Sequence, residues 1–369
     1  MPQLTISALA WTLQDAAILA YAQGAGAQLA RGGGARGAIV APAGLRLDAP
    51  ELLAGPRLGP GRRFFSFGNQ EAPPDIDALA PVLDCLIEQS GTGFMAASFA
   101  APARGRGVYQ GHLFQDGRLV VNLHHALRAA LCGRVAVVPH ETVAAGAGAI
   151  RRKLAACKEQ GVALALLDAV DMHQCAAIAE AVAPQALSGG PAWLCPAWPG
   201  APGPEAEPPR GPLAILSGAL DRQTLFQLGT ARHARPFLQL DLTTPDPVAH
   251  ALAWARAQGG RAVIIASSAA PGSLRPGAPA AAILADIAAG LADAGVRRFV
   301  ITGNDTASAI LDRLEVRHLE AGAATAGLRW LAGGKYYFLL KPGGFGGRDL
   351  LADEIEPQIR LNATAECPP

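Results

Sequence analysis

The 369-residue chain has no C-x-x-C pair; its six cysteines stand apart at 85, 132, 157, 175, 195 and 367. That spacing signals neither a zinc site nor a disulfide framework, and scattered free thiols fit a cytoplasmic protein. No tract of five or more basic residues occurs, and 31 Lys and Arg stand against 30 Asp and Glu. A nucleic-acid binder needs a basic patch or stripe, so that class is set aside. Eighteen uninterrupted apolar residues are nowhere found, so no membrane span is expected. The opening segment lacks a basic n-region, and Gln14 and Asp15 interrupt its apolar run. It reads as a strand and a helix rather than a signal peptide. A Walker loop, G-x-x-x-x-G-K-[ST], is also missing, and the Gly-Ala-Gly pieces at 24–26 and 146–148 do not complete G-x-G-x-x-G. A dinucleotide-dependent oxidoreductase is therefore poorly supported.

What is present is apolar and ordered by period. Half of the residues are hydrophobic, enough for sizeable cores, and the length suggests two domains. Residues 195–212, CPAWPGAPGPEAEPPRGP, hold too much proline and glycine for a helix or a central strand. They are expected to form an extended linker between a domain over 1–194 and another over 213–369. After the linker, short apolar runs at 213–216, 236–240, 262–266, 298–301 and 336–340 read as strands. Helical segments at about 223–234, 247–258, 280–294, 305–314 and 350–359 separate or succeed them. The helix at 247 opens on a proline, whose missing N–H costs nothing there. The first half has the same grammar less cleanly, with strand candidates at 37–41, 64–67, 93–98, 134–138 and 163–167. Apolar strands alternating with helices predict an α/β fold: two domains, each with a mainly parallel sheet flanked by helices, and a ligand cleft between them.

Ligands of parallel α/β sheets sit beyond the carboxyl ends of strands. Three strand ends of the second half carry fitting chemistry. One is Ser217-Gly218-Ala219, with Thr224 and Gln227 on the next helix. Another is Thr302-Gly303-Asn304-Asp305-Thr306, where Asn304 or Asp305 can cap a helix. The last is the loop with glycines at 343, 344, 346 and 347, flanked by Lys341 and Arg348. Such loops are either plain turns or anion cradles, since glycine leaves backbone N–H groups uncovered. Three in one half favour a nucleotide or phosphate site.

These motifs resemble the four-carbon acid sugar kinases, which phosphorylate tetronates and 3-oxo-tetronates with ATP. LSGALDRQTLFQL matches the family's first C-terminal motif, with Ala219 departing from its serine. Thr302–Ala307 (TGNDTA) is similar to its T-G-G-[ED]-T-A turn, and LLKPGGFGGRDLL to its L-K-x-G-x-F-G-x-x-D. The resemblance implies an ATP site, with Mg2+, at Ser217, Gly218, Thr224, Gly303, Asn304, Asp305, Thr306, Gly343, Gly344 and Gly346. In the first half, AAPARGRGVYQGHLF and ALLDAVDMHQC resemble family stretches and place Gly105, Arg106 and Asp168 at the acid-substrate site. Asn69 joins them from a reduced substrate loop, residues 66–70. The family's A-D-D-L-T-G-A reads here ALAWTLQ, so Leu9 and Ala10 stand at its paired aspartates.

Phosphoryl transfer needs the acceptor hydroxyl positioned and deprotonated, usually with a carboxylate in reach. Asp15, directly after the altered motif, is the first candidate for that role. The expected activity is an ATP-dependent kinase acting on a small sugar acid, with altered substrate or low turnover. The alternative is a non-catalytic relative that binds nucleotide and a small carboxylic acid. No metal ligand set is assigned to named residues, and a homodimer is left open.

Overall fold

The computed structural model describes residues 7–31, 39–42, 47, 62–68, 75–195, 207–267 and 280–355. Its strands are β1 Ser7–Ala10, β2 Gln28–Arg31, β3 Ile39–Ala41, β4 Arg63–Ser66, β5 Met95–Ala97, β6 Arg106–Tyr109, β7 His112–Gln115, β8 Arg118–Asn122, β9 Arg134–Val138, β10 Val162–Leu167 and β11 Leu187–Gly190 in the first half. The second half adds β12 Leu213–Ser217, β13 Phe237–Gln239, β14 Val263–Ala266, β15 Arg298–Thr302, β16 His318–Thr325, β17 Leu328–Gly333 and β18 Tyr336–Lys341. Helices alternate with the parallel strands, as the apolar periods predict.

Fifteen strands, drawn from both halves, form one sheet in the order β13-β14-β12-β15-β18-β17-β16-β2-β3-β1-β4-β11-β5-β10-β9. Neighbours pair in parallel except at β18–β17, β17–β16 and β16–β2. Two parallel stacks are thus joined through an antiparallel hairpin. At the join, His318, Leu319 and Glu320 face Ala30, Leu29 and Gln28. The Arg31 N–H donates to Arg317 O at 2.8 Å, and the Ala321 N–H to Ala27 O at 2.8 Å. Buried Arg31 extends the contact, donating to Ser308 Oγ at 2.8 Å and Asp312 Oδ1 at 2.9 Å. The expected pair of parallel sheets is therefore continuous through backbone hydrogen bonds, which no local pattern announces.

The central strands are buried on both faces, as continuous apolar runs require. β12 and β15 are buried at every residue. Phe299 and Phe338, on adjacent strands, stack with ring centroids 5.9 Å apart. In the first half Phe67 packs on Phe99 at 4.9 Å. β6, β7 and β8 form a separate antiparallel sheet. Val108 N–H fastens it to Ala169 O at 2.7 Å.

Three details differ from the sequence reading. The segment expected as a helix over 350–359 forms a π-helical turn at Leu350–Glu354, and residues 356–369 lie outside the described residues. Within the expected linker, residues 196–206 also lie outside them. Its end is held in place: Arg298 Nη1 donates to Pro209 O and Nε to Gly211 O, each at 2.9 Å. Finally, Lys341 does not flank the glycine loop with an open charge; it is fully buried.

Candidate functional site

β12, β15 and β18 are consecutive in the sheet, so the three loops leaving their carboxyl ends converge. They enclose a cavity of about 500 Å³ lined by Gly218, Ala219, Leu220, Asp221, Gly303, Asn304, Asp305, Thr306 and Gly343. Gln14, from the start of the helix Leu13–Gln23, completes the lining and donates through Nε2 to Lys341 O at 3.4 Å.

Two glycines are needed for the loops to approach. A Cβ on Gly218 would lie 2.1 Å from Thr306 Oγ1. Gly303 has φ +98, and a Cβ there would lie 3.1 Å from Ala219 N. Gly303 is also the N-cap of the helix Asn304–Arg313 and offers no side chain to its first turn. The leading N–H groups of a helix without a side-chain cap suit an anion. Ser217 sits beneath the cavity rather than on it: buried, with Oγ hydrogen-bonded to Thr302 Oγ1 at 2.5 Å.

The glycine loop is stapled to the helix Arg222–Ala231. Buried Gln227 donates through Nε2 to the carbonyls of Phe345, Gly346 and Gly347, at 2.9, 3.2 and 2.8 Å. Gln223 adds a bond to Gly346 O at 2.9 Å. Gly346, with φ +85, turns the chain toward Leu350, whose Cδ2 would sit 2.5 Å from a Cβ. Of the loop's glycines only Gly343 reaches the cavity wall.

Asp221 organises this corner. It caps the helix, accepting from Thr224 N at 2.8 Å and Thr224 Oγ1 at 2.7 Å. It also accepts from the glycine loop, Gly344 N at 3.0 Å. Lys341 Nζ donates to the same Thr224 hydroxyl at 2.8 Å and to Pro342 O at 3.0 Å. Burial pushes the Asp221 carboxyl up, but the Thr224 and Gly344 donors and the Lys341 charge outweigh it and leave it below its ordinary value. Asp305 differs: exposed in the first turn of its helix, it receives no hydrogen bond from the described residues.

The first-half candidates occupy varied settings. Leu9 and Ala10, at the end of β1, are buried and apolar. Asp15 is fully buried and closes a capping box: its Oδ2 accepts from Thr12 Oγ1 at 2.8 Å and Thr12 N at 3.2 Å. Arg106 is fully buried, donating to Gly68 O at 3.0 Å and Gln115 Oε1 at 3.3 Å. Gly105 has φ +70, with a Cβ position 2.0 Å from Asp116 Oδ1. Asp168 accepts three backbone N–H groups, Gln110 at 2.6 Å, Gly111 at 3.0 Å and His140 at 3.2 Å. Burial still raises its pKa despite these donors. Asp168 thereby anchors the β6–β7 turn. Asn69 lies outside the described residues.

Residues 214–351 match the nucleotide-binding C-terminal domain, and residues 72–197 the sugar-binding N-terminal domain, of the acid sugar kinases. A 3-oxo-tetronate kinase from Methylobacterium radiotolerans is 32% identical over 333 residues, covering 76% of this chain and 78% of that protein. One from Pseudomonas fluorescens is 30% identical over 342 residues, covering 79% and 78%. The chain belongs to the four-carbon acid sugar kinase family. Solved structures share its fold. A Salmonella typhimurium LT2 protein aligns over 94% of this chain and 97% of its own at TM-score 0.73 and 20% identity. A Haemophilus influenzae protein aligns over 94% and 98% at TM-score 0.67 and 21% identity. The cavity described above lies within the part matched by the family's nucleotide-binding domain, apart from Gln14. The sequence motifs alone do not single out Gln14 or Asp221. Asp221 carried a readable signal, an acid three residues before Thr224 at a helix start. Gln14 carried none, because its partner is 327 positions away.

Proposed function

We propose that this protein is an ATP-dependent kinase of a small sugar acid, tetronate-like, with low turnover. The observation that carries the reading is the cavity where three glycine-bearing loops converge and the first half contributes Gln14. The polyphosphate enters against Gly218, Gly303 and the uncapped start of the helix Asn304–Arg313. The relatives' name, 3-oxo-tetronate kinase, supports a four-carbon acid as acceptor, bound by the first half, residues 1–194, and presented to the nucleotide half, residues 213–369. Arg106 and Gly105 would contribute to that acid pocket. Cytoplasmic location and a homodimer belong to the same proposal.

The donor set fits Mg2+ as kinases use it. Asp221, a carboxylate fixed in the cavity wall, would be the protein's ligand, since Mg2+ is commonly held by one or two carboxylates plus substrate phosphates. Among the described residues no group of three or more His, Cys, Asp and Glu could hold a metal unaided. The ion would neutralise charge on the phosphates.

Low turnover is expected from the acceptor side. Leu9 and Ala10 cannot take a proton, and the carboxylates of Asp15 and Asp168 are engaged by their own backbone and cap donors. Asp305 is the cavity carboxylate left to accept the hydroxyl proton. A coupled ADP-release assay across 3-oxo-tetronates, threonates and erythronates tests this. Asp305→Asn should lower the rate by about 10²–10⁴-fold. The same buried Leu9 and Ala10 favour a second reading, a binding protein without turnover. It gains if no acid is phosphorylated but one raises the melting temperature.

A further inference from the structure

A carboxylate is an unusual companion for a polyphosphate, and Asp221 is fixed where it cannot retreat. Its Oδ1 accepts from both Thr224 N and Gly344 N, and its Oδ2 from the Thr224 hydroxyl. It lines the cavity together with Gly343, whose Cβ position lies only 3.1 Å from Asp221 Oδ2. Asp305 is exposed and can turn toward solvent; Asp221, bonded on both oxygens, has no such freedom. The nearest compensating charge, Lys341, is fully buried, donates to Thr224 and Pro342, and does not line the cavity. An anion entering beside Gly218, Gly303 and Gly343 therefore meets a negative charge built into the wall.

We propose that Asp221 makes nucleotide binding by this protein depend on a divalent cation: a bare polyphosphate is repelled by the fixed carboxylate, and a hard cation bridging Asp221 to the phosphates turns repulsion into attraction. This rests on the nucleotide reading of the cavity given above. Asp221 could hold a cation directly or through a water, since its Oδ2 carries a single protein donor among the described residues and keeps lone-pair capacity for a further contact. The same residue ties the glycine loop to the capped helix, so a cation held there is sensed by the loop through Gly344. Asp221 is in this sense a positioning and selectivity residue, discriminating the metal complex of a nucleotide from the free nucleotide.

The test is calorimetric titration of ATP into the full-length protein, once with EDTA and once with excess Mg2+. Asp221→Ser and Asp221→Asn are compared with the wild type. Both replacements remain good N-cap residues, and thermal melts check that both fold. The wild type should bind ATP at least about tenfold more tightly with Mg2+ than with EDTA. In both variants the ratio should fall to within about threefold, with binding in EDTA strengthened. A wild-type ratio near one overturns the proposal, as does a wild-type ratio retained by the variants; in either case the nucleotide site itself stands. Absence of ATP binding under both conditions overturns the nucleotide reading and this proposal with it.

Discussion

Replacing Gly218 with alanine tests the packing on which the cavity depends. The new Cβ would lie 2.1 Å from Thr306 Oγ1, but 3.4 Å from Leu284 Cδ1 and 3.5 Å from Thr306 Cβ. The last two are ordinary contacts; the first must be relieved by more than an ångström. Thr306 is buried, so little free volume is left for its hydroxyl to move into. The strand-end loops must therefore separate. Overpacking of this kind costs about 1–3 kcal/mol, read as a fall of a few degrees in Tm. The same separation moves the backbone that lines the cavity, so ATP affinity should fall about tenfold or more, about 1.4 kcal/mol. The structure also names the rescue. Thr306→Ala deletes the clashing oxygen and leaves only the 3.4 and 3.5 Å contacts. A double-mutant cycle of Gly218→Ala with Thr306→Ala should show a favourable coupling of about 1–3 kcal/mol. Urea unfolding of the four proteins measures it. Additive losses, or a Gly218→Ala protein with unchanged Tm and ATP affinity, would refute the claim that these two loops touch as described.

Other outcomes are expected at the same corner of the molecule and at the join between the halves. Asp221 is held below its ordinary 3.8 in the folded chain, so its stabilising contribution is complete above that value and is lost as the pH falls through the lower folded value. Asp221→Asn should flatten that acid limb in melts recorded between about pH 2 and 5, and an unchanged limb would contradict the assignment. Lys341→Met removes the buried ammonium that donates to Thr224 and Pro342 and should cost about 1–3 kcal/mol by urea unfolding. Arg31→Met removes the bonds to Ser308 and Asp312 across the join and should cost about 1–3 kcal/mol; a loss below a few tenths would mean the join does not need it.

Most of the parallel stacks was legible because their signal is local. Runs such as AVIIA at 262–266 and RFVI at 298–301 are apolar throughout, as strands buried on both faces must be. The three glycine-bearing loops at strand ends were legible for the same reason, glycine next to an apolar strand. The hairpin β16–β17 was not, since HLEAGAAT carries glycine and three alanines that suit a helix or a loop as well as a strand. β2 and β11 are four residues each, too short for a period to register. At the site, the sequence alone has Lys341 flank the glycine loop as a positive charge. The chain instead commits it to Thr224 and the Pro342 carbonyl. Asp15 invited a catalytic role by its position after the altered motif. Its place three residues after the helix cap Thr12 was the better local clue, because T-x-x-D at a helix start closes a capping box.

The continuity of the sheet has a consequence for how the polypeptide can be cut. β16 is donated by the chain after residue 212 yet lies edge to edge with β2, formed before residue 32. A protease acting within residues 196–206 would sever the covalent path while the Ala30–His318 ladder and the Arg31–Ser308 contact stay in place. The nicked protein should travel as one particle in size exclusion and come apart only in denaturant. By the same logic, a gene divided at that point and expressed as two open reading frames should yield fragments that find each other and rebuild the cavity, the shorter piece supplying three loops and the longer one Gln14. Fragment complementation of this sort, with recovery of ATP binding as its readout, would turn a feature of strand order into a selectable assay for the interface between the halves.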